Sequence, residues 1–164
     1  MDMCSISEKR IHLPRWEELP DIGLYMDQVM LLMDRSFSDK LPKGEMTKSM
    51  INNYVKAGLL PRPAGKKYDR EHLAILLMIY VLKQALNMES IGAILEILCR
   101  TDVHTGYDSF RSHLEELEEI VARGTVMMDW TKDSREEMTL RLSIMAALCT
   151  IRTYWLLPGE SHAG

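Results

Sequence analysis

Along most of this chain apolar residues return every three or four positions, the spacing that gathers them on one side of an α-helix. Met26, Val29, Met30 and Met33 predict a helix over Leu24 to Asp34, its methionine stripe turned to the core. The run from Ala74 to Leu82 is apolar at almost every position and predicts a buried central helix, His72 to about Leu86. Asn87 is placed to cap the next helix, Glu89 to Leu98, in which Ile91, Ile94, Leu95 and Leu98 form a stripe. Arg100 to Asp108 reads as a polar loop. Beyond it Phe110, Leu114, Leu117 and Val121 share a helix face, with Glu115, Glu116, Glu118 and Glu119 as a solvated flank and Gly124 as the stop. Ser134-Arg135-Glu136-Glu137 has capping-box spacing and begins a last helix, which Pro158-Gly159 ends near Leu156. Met138, Leu142, Met145, Leu148 or Cys149, and Trp155 run along one side of that helix, while Ile144, Ala147, Ile151 and Tyr154 extend apolar character around it, so it calls for cover from two directions. The pattern predicts an all-α chain with at most a small β-hairpin.

The stretch from Met46 to Tyr68 has a different character. Thr47 is a helix N-cap, Lys48 to Ala57 is helix-compatible, and Gly58 with Pro61 beyond it marks the stop. At 100° per residue, Lys48, Ser49, Asn52, Asn53 and Lys56 fall on one arc of this short helix, and Met50, Ile51, Tyr54 and Val55 on the other. One side is apolar; the other is basic and rich in amides. Pro61-Arg62-Pro63-Ala64-Gly65-Lys66-Lys67 follows as a tight basic turn.

The order of short helix, Gly58-Leu59-Leu60-Pro61, basic loop, Lys66-x-Tyr68 and apolar helix resembles the winged helix-turn-helix domain of MerR-type transcription regulators over roughly residues 45 to 98. Asn52 and Lys66 stand where those regulators carry arginines. A second resemblance runs from Leu13-Pro14-Arg15-Trp16-Glu17-Glu18-Leu19-Pro20-Asp21 through Leu24-Tyr25-Met26-Asp27-Gln28-Val29 to Met50-Ile51-Asn52-Asn53-Tyr54-Val55-Lys56. In these segments the chain is similar to a bacterial family called domain of unknown function 1836. The resemblances imply a recognition helix at about 48–57, a wing at about 61–67, and a division into an arm (1–21), a MerR-like domain (22–100) and a helical extension (101–164).

Charge follows the same geography: residues 43–83 carry a net +5, whereas 1–42 carry −3 and 84–164 carry −6. The basic charge thus coincides with the suspected reading head. If the chain binds duplex DNA, Asn52 and Asn53 are the amides suited to base edges, while Lys48, Lys56, Arg62, Lys66 and Lys67, with Ser49, suit phosphates. A competing reading is a protein-interaction or adaptor module that keeps the fold without binding DNA. The core reads as closed by the helix ending at Leu98, which leaves the apolar material of Phe110 to Leu156 for a homodimer interface.

Composition narrows the remaining classes. Hydrophobic residues make up 46% of the chain, ample for a packed core, and Cys4, Cys99 and Cys149 are too scattered for a disulfide framework or a metal motif. The expected setting is a reducing cytoplasm. Met1-Asp2-Met3-Cys4 does not resemble a signal sequence, and Ala74 to Leu82 is about half of the ~20 apolar residues that a membrane span needs. The chain contains no phosphate loop, nucleophile elbow or zinc-protease motif, and pairings such as His104 with Asp102 or Asp108, or His113 with Cys99, are weak catalytic candidates. No enzyme activity, cofactor or metal is expected. His72, at a helix start, reads as a solvated group or a local hydrogen-bond partner, and Trp16, bracketed by prolines, as the anchor of a strap over the core.

Overall fold

A computed structural model describes residues 10–37, 41–123 and 131–156. Within them the chain is all-helical: α1 (Met26–Ser36), α2 (Lys48–Lys56), α3 (Arg70–Leu82), α4 (Met88–Leu98), α5 (Val103–Arg123) and α6 (Arg135–Leu156), preceded by a 3₁₀ turn at Trp16–Glu18. The expected stops at Gly124 and Pro158-Gly159 lie outside the described residues, as do residues 1–9 of the expected arm and 38–40 of the α1–α2 connection.

The capping residues explain most of the helix starts. Thr47, Asp69 and Asn87 each accept a hydrogen bond from the backbone N–H three residues on, which satisfies a donor that the helix itself leaves free. Ser134 does the same for Glu137 at the start of α6. The expected loop at 100–108 is a correction: α5 begins at Val103, because Asp102 accepts the Thr105 N–H at 2.7 Å and starts the helix there. Gly106 then lies inside α5, where a Cβ would stand 2.4 Å from the Leu98 carbonyl oxygen. Only a glycine lets α5 cross this close to the end of α4.

α3 is the axis of the molecule, buried at every position from His72 to Leu82. α4, α5 and α6 pack around it and against one another. The buried side chains of 11–60, α3, α4, α5 and α6 belong to one continuous cluster. The core is therefore not closed at Leu98: Tyr107, Phe110, Leu114 and Leu117 of α5 complete it, together with Leu140, Ile144, Leu148, Ile151 and Trp155 of α6. On α6 the core covers Ile144, Ala147, Leu148, Ile151 and Trp155, while Met138 and Leu142 face outward and are exposed.

Glu118, read from the sequence as part of a solvated flank, is buried. It follows Leu114 by four residues and so sits on the core side of α5. Its carboxylate accepts from Arg152 Nη2 at 2.6 Å and from the Ile11 N–H at 2.7 Å. One carboxylate thus ties the N-terminal segment to the last helix. The strap expected around Trp16 is present: Trp16 stacks on His104 with centroids 4.4 Å apart, the Tyr107 hydroxyl donates to the Pro14 carbonyl, and Arg70 Nε donates to the Leu19 carbonyl.

Candidate nucleic-acid interface

α2 is held to the core by Ile51 and Tyr54, both buried, and presents Lys48, Ser49, Asn52, Asn53 and Lys56 exposed on its other side. It ends at Lys56 rather than Ala57, which serves as the C-cap. Gly58 follows with φ +76°, its N–H donating to Val55 O at 3.2 Å, and the Leu59 N–H donates to Tyr54 O at 2.9 Å. This pair of bonds is the Schellman arrangement, in which a left-handed residue closes the helix end. Lys56, in the last turn, complements the negative end of the helix dipole.

The basic turn is short. Ala64 and Lys67 pair, with the Lys67 N–H donating to Ala64 O at 3.0 Å, and Gly65 and Lys66 between them have φ of 58° and 63°. Positive φ at both central positions is the requirement of a type I′ turn, whose twist suits a two-residue hairpin. Lys66 is a side chain holding a conformation that favours glycine. Immediately after the turn, Tyr68 pairs with Leu24 through two backbone hydrogen bonds of 2.8 Å. The turn is thereby fastened to the chain just before α1.

That fastening brings the two basic elements to one place. Lys67 Nζ lies 5.4 Å from the centre of the Tyr25 ring, and Lys48 pairs with Asp27. Tyr25 is the N-cap of α1 and Asp27 lies in its first turn, so the start of α2 and the basic turn flank a common support. Gly23 contributes by absence, since a Cβ there would stand 3.0 Å from Lys67 Cβ. Arg62, Lys66 and Lys67 are all exposed. Tyr25, Asp27 and Gly23 were missed in the sequence because the pairing of Leu24 with Tyr68 has no local signature; Asp27 is a carboxylate beside Lys48 and lowers the positive charge at that end of α2.

Beneath α2 the core holds a second, buried cation. Lys83 Nζ lies 3.8 Å from Met50 Sδ, 3.5 Å from the Gly44 carbonyl and 4.7 Å from the centre of the Tyr80 ring. Burial, with a contribution from Lys43, lowers its ammonium pKa. Burial also raises the Tyr80 phenol to about 12, helped by Glu45 and Asp34. At the foot of the turn, His72 is buried rather than solvated, and its Nδ1 lies 2.6 Å from Asp69 Oδ1. Burial pushes the Asp69 carboxyl up, but hydrogen bonds and charge from His72 outweigh it, and the net shift is downward.

His104 meets Asp108 at 3.2 Å with both side chains about half exposed, and His113 meets the Ser109 carbonyl and Glu137 instead of Cys99. Among the described residues no group of three or more histidine, cysteine or acidic side chains is placed to hold a metal ion, and no helix is long and apolar enough to cross a membrane.

These observations define an all-helical protein with a short exposed basic helix beside a basic turn. The chain matches the family described as Domain of unknown function (DUF1836) over residues 14–119, which take in α1 to α4 and most of α5, and it belongs to that family. No curated protein and no solved structure matches it.

Proposed function

We propose that the protein is a DNA-binding transcription regulator of the MerR-like winged helix-turn-helix type, acting in the cytoplasm. In this reading α1 and α2 are the helix-turn-helix, α2 enters the major groove, and the Pro61 to Lys67 turn is the wing on the backbone. The observation that carries it is the coincidence of two independent basic elements on one support: α2 buries Ile51 and Tyr54 and leaves Lys48, Asn52, Asn53 and Lys56 exposed, and the wing lysine Lys67 meets the N-cap of the helix whose first turn holds Lys48. Asn52 and Asn53 read base edges, since a planar amide pairs with adenine through two hydrogen bonds. Lys48, Ser49, Lys56, Arg62, Lys66 and Lys67 hold phosphates.

Fluorescence anisotropy on a pool of genomic DNA fragments over a salt series tests the reading. Replacing Lys48, Asn52, Asn53 and Lys56 with alanine leaves the core intact and abolishes the binding. Single lysine-to-alanine changes weaken all sequences alike and reduce the salt slope by about one per lost phosphate contact. Asn52→Ala or Asn53→Ala instead erodes discrimination at one base position by about 1–3 kcal/mol. Folded protein that shows no salt-sensitive binding to any pool, or a four-alanine variant that binds like the parent, ends the proposal. The adaptor reading would then take its place, favoured by the exposed apolar residues Ile22, Tyr25 and Leu31 around α1.

A further inference from the structure

The buried Lys83 ammonium has several protons to place and poor acceptors for them. The Gly44 carbonyl, 3.5 Å away, already accepts from the Tyr80 hydroxyl at 3.2 Å. The face of the Tyr80 ring is a second weak contact, and the Met50 thioether a third at 3.8 Å. Among the described residues no carboxylate pairs with Lys83, and the neighbouring charge, Lys43, repels it. A buried cation in this condition is stabilised by any strong acceptor brought within reach. Thioether sulfur is a weak acceptor, but a sulfur that has taken up an oxygen carries a strong one.

We propose that Met50 is a site of reversible oxidation by a peroxide, its sulfoxide oxygen held by the Lys83 ammonium. Met50 is partly exposed on α2, whereas Met33, Met46 and Met78 are buried. In the step a sulfur lone pair attacks one peroxide oxygen, and the S–O bond forms as the O–O bond breaks. The proton of the transferred oxygen passes to the departing hydroxide, so sulfur loses two electrons, the peroxide gains them, and water leaves. The geometry receives the product without movement of either helix. An oxygen about 1.5 Å from Sδ and about 2.8 Å from Nζ makes an angle of about 120° at the oxygen when sulfur and nitrogen stand 3.8 Å apart. That angle is ordinary for an acceptor. Reversal by a sulfoxide reductase consumes two thiols, which leave as a disulfide and water.

Methionine oxidation ordinarily loosens a core, because a polar group replaces an apolar one. At Met50 the sign is reversed. The added oxygen supplies the acceptor that Lys83 lacks, and it ties α2 to the end of α3 across the seam that Ile51 and Tyr54 already close. With α2 as the recognition helix, the oxidised protein holds its reading head more rigidly and binds DNA more tightly. That consequence rests on the proposed function; the modification and the stabilisation do not.

Hydrogen peroxide titrated onto the full chain, followed by trypsin and mass spectrometry, reads the site directly. The peptide from Ser49 to Lys56 contains Met50 and no other methionine, and the exposed Met88 and Met138 report general access of the oxidant. Met50 is expected to gain one oxygen and to lose it again to a sulfoxide reductase with dithiothreitol. Met50→Leu subtracts the effect of every other methionine on the melting temperature. The change caused by peroxide is expected to be about 2–4 °C more favourable in the parent than in that variant, as one strong hydrogen bond implies. In a Lys83→Leu background the same difference vanishes or reverses. Hydrogen exchange on the parent before and after treatment gives the reading without any substitution, with slower exchange across α2 expected. Met50 left as a thioether while Met88 and Met138 are oxidised overturns the site, as does a sulfoxide that speeds exchange across α2 or acts alike with and without Lys83. DNA titrations separate the two ideas: no DNA binding by either form, with Met50 oxidised and α2 protected, defeats the regulator reading alone, whereas DNA binding by a protein whose Met50 resists peroxide defeats this site alone.

Discussion

Lys83 is a cation enclosed by protein, only 7% exposed, and its lowered pKa means that the folded state disfavours its charge. In the interval between that lowered value and the ordinary 10.5, the unfolded chain binds more protons than the native one, so this residue's contribution to stability rises with pH. Lys83→Met keeps the apolar stem and removes the buried charge, and is expected to raise the melting temperature at pH 7. The advantage over the parent shrinks as the pH climbs toward 10.5, which paired urea titrations at several pH values would read out. An advantage that does not vary with pH would show that packing, not charge, was responsible. At Gly106 the opposing atom is backbone and cannot step aside, so Gly106→Ala costs about 1–3 kcal/mol by overpacking, visible as a lower urea midpoint. Neither residue can be singled out from the sequence, because Lys83 follows an apolar run that any helix could leave by an exposed lysine, and Gly106 sits in a polar stretch that looks like a loop. Glu118 was legible by its four-residue step from Leu114, but the neighbouring glutamates masked it.

At the scale of elements, the helix starts were readable wherever a cap preceded an apolar stripe: Thr47, Asn87 and Ser134 all serve as written. Asp102 was missed because no apolar residue at helical spacing stands within its first turn except Val103. The end of α2 was equally legible, since Gly58 adopts the left-handed conformation that its position called for. Gly58→Ala meets no neighbouring atom, so its effect is backbone strain alone, about 1–2 kcal/mol. In that variant, faster hydrogen exchange at the Leu59 and Leu60 amides is expected, with α3 unaffected; equal loss of protection throughout would mean that the turn is not a local device. The pairing of Leu24 with Tyr68, and with it the meeting of Lys48 and Lys67 on α1, was not readable. It depends on residues more than forty apart in the chain brought together by backbone hydrogen bonds that any side chain could make.

For the molecule as a whole, the folding back of α5 and α6 leaves the homodimer expectation with less apolar surface than the sequence offered. What remains on α6 is the outer row Met138, Leu142 and Leu156, each exposed. Light scattering at micromolar concentration should still find a dimer that Leu142→Glu dissociates, and a parent mass near 18.9 kDa would end that expectation. The Glu118 contact makes a separate claim. Removing one partner of a buried ion pair costs about 3–5 kcal/mol, so Glu118→Ala should lower stability by that order and expose the chain near Arg10 and Ile11 to limited proteolysis, since the Ile11 N–H loses its acceptor as well.

The enclosure of α3 also has a bearing on how the protein is made. A ribosome delivers the chain from its N-terminus, and when residue 100 has emerged α3 is already present while α5 and α6, which cover much of it, are not. For the time that synthesis of the last third takes, at roughly 5–20 residues per second, a helix of almost uninterrupted apolar surface has no permanent cover. A nascent chain stalled at that point is a natural client for a chaperone, and a gene truncated there should yield inclusion bodies instead of a small soluble DNA-binding unit.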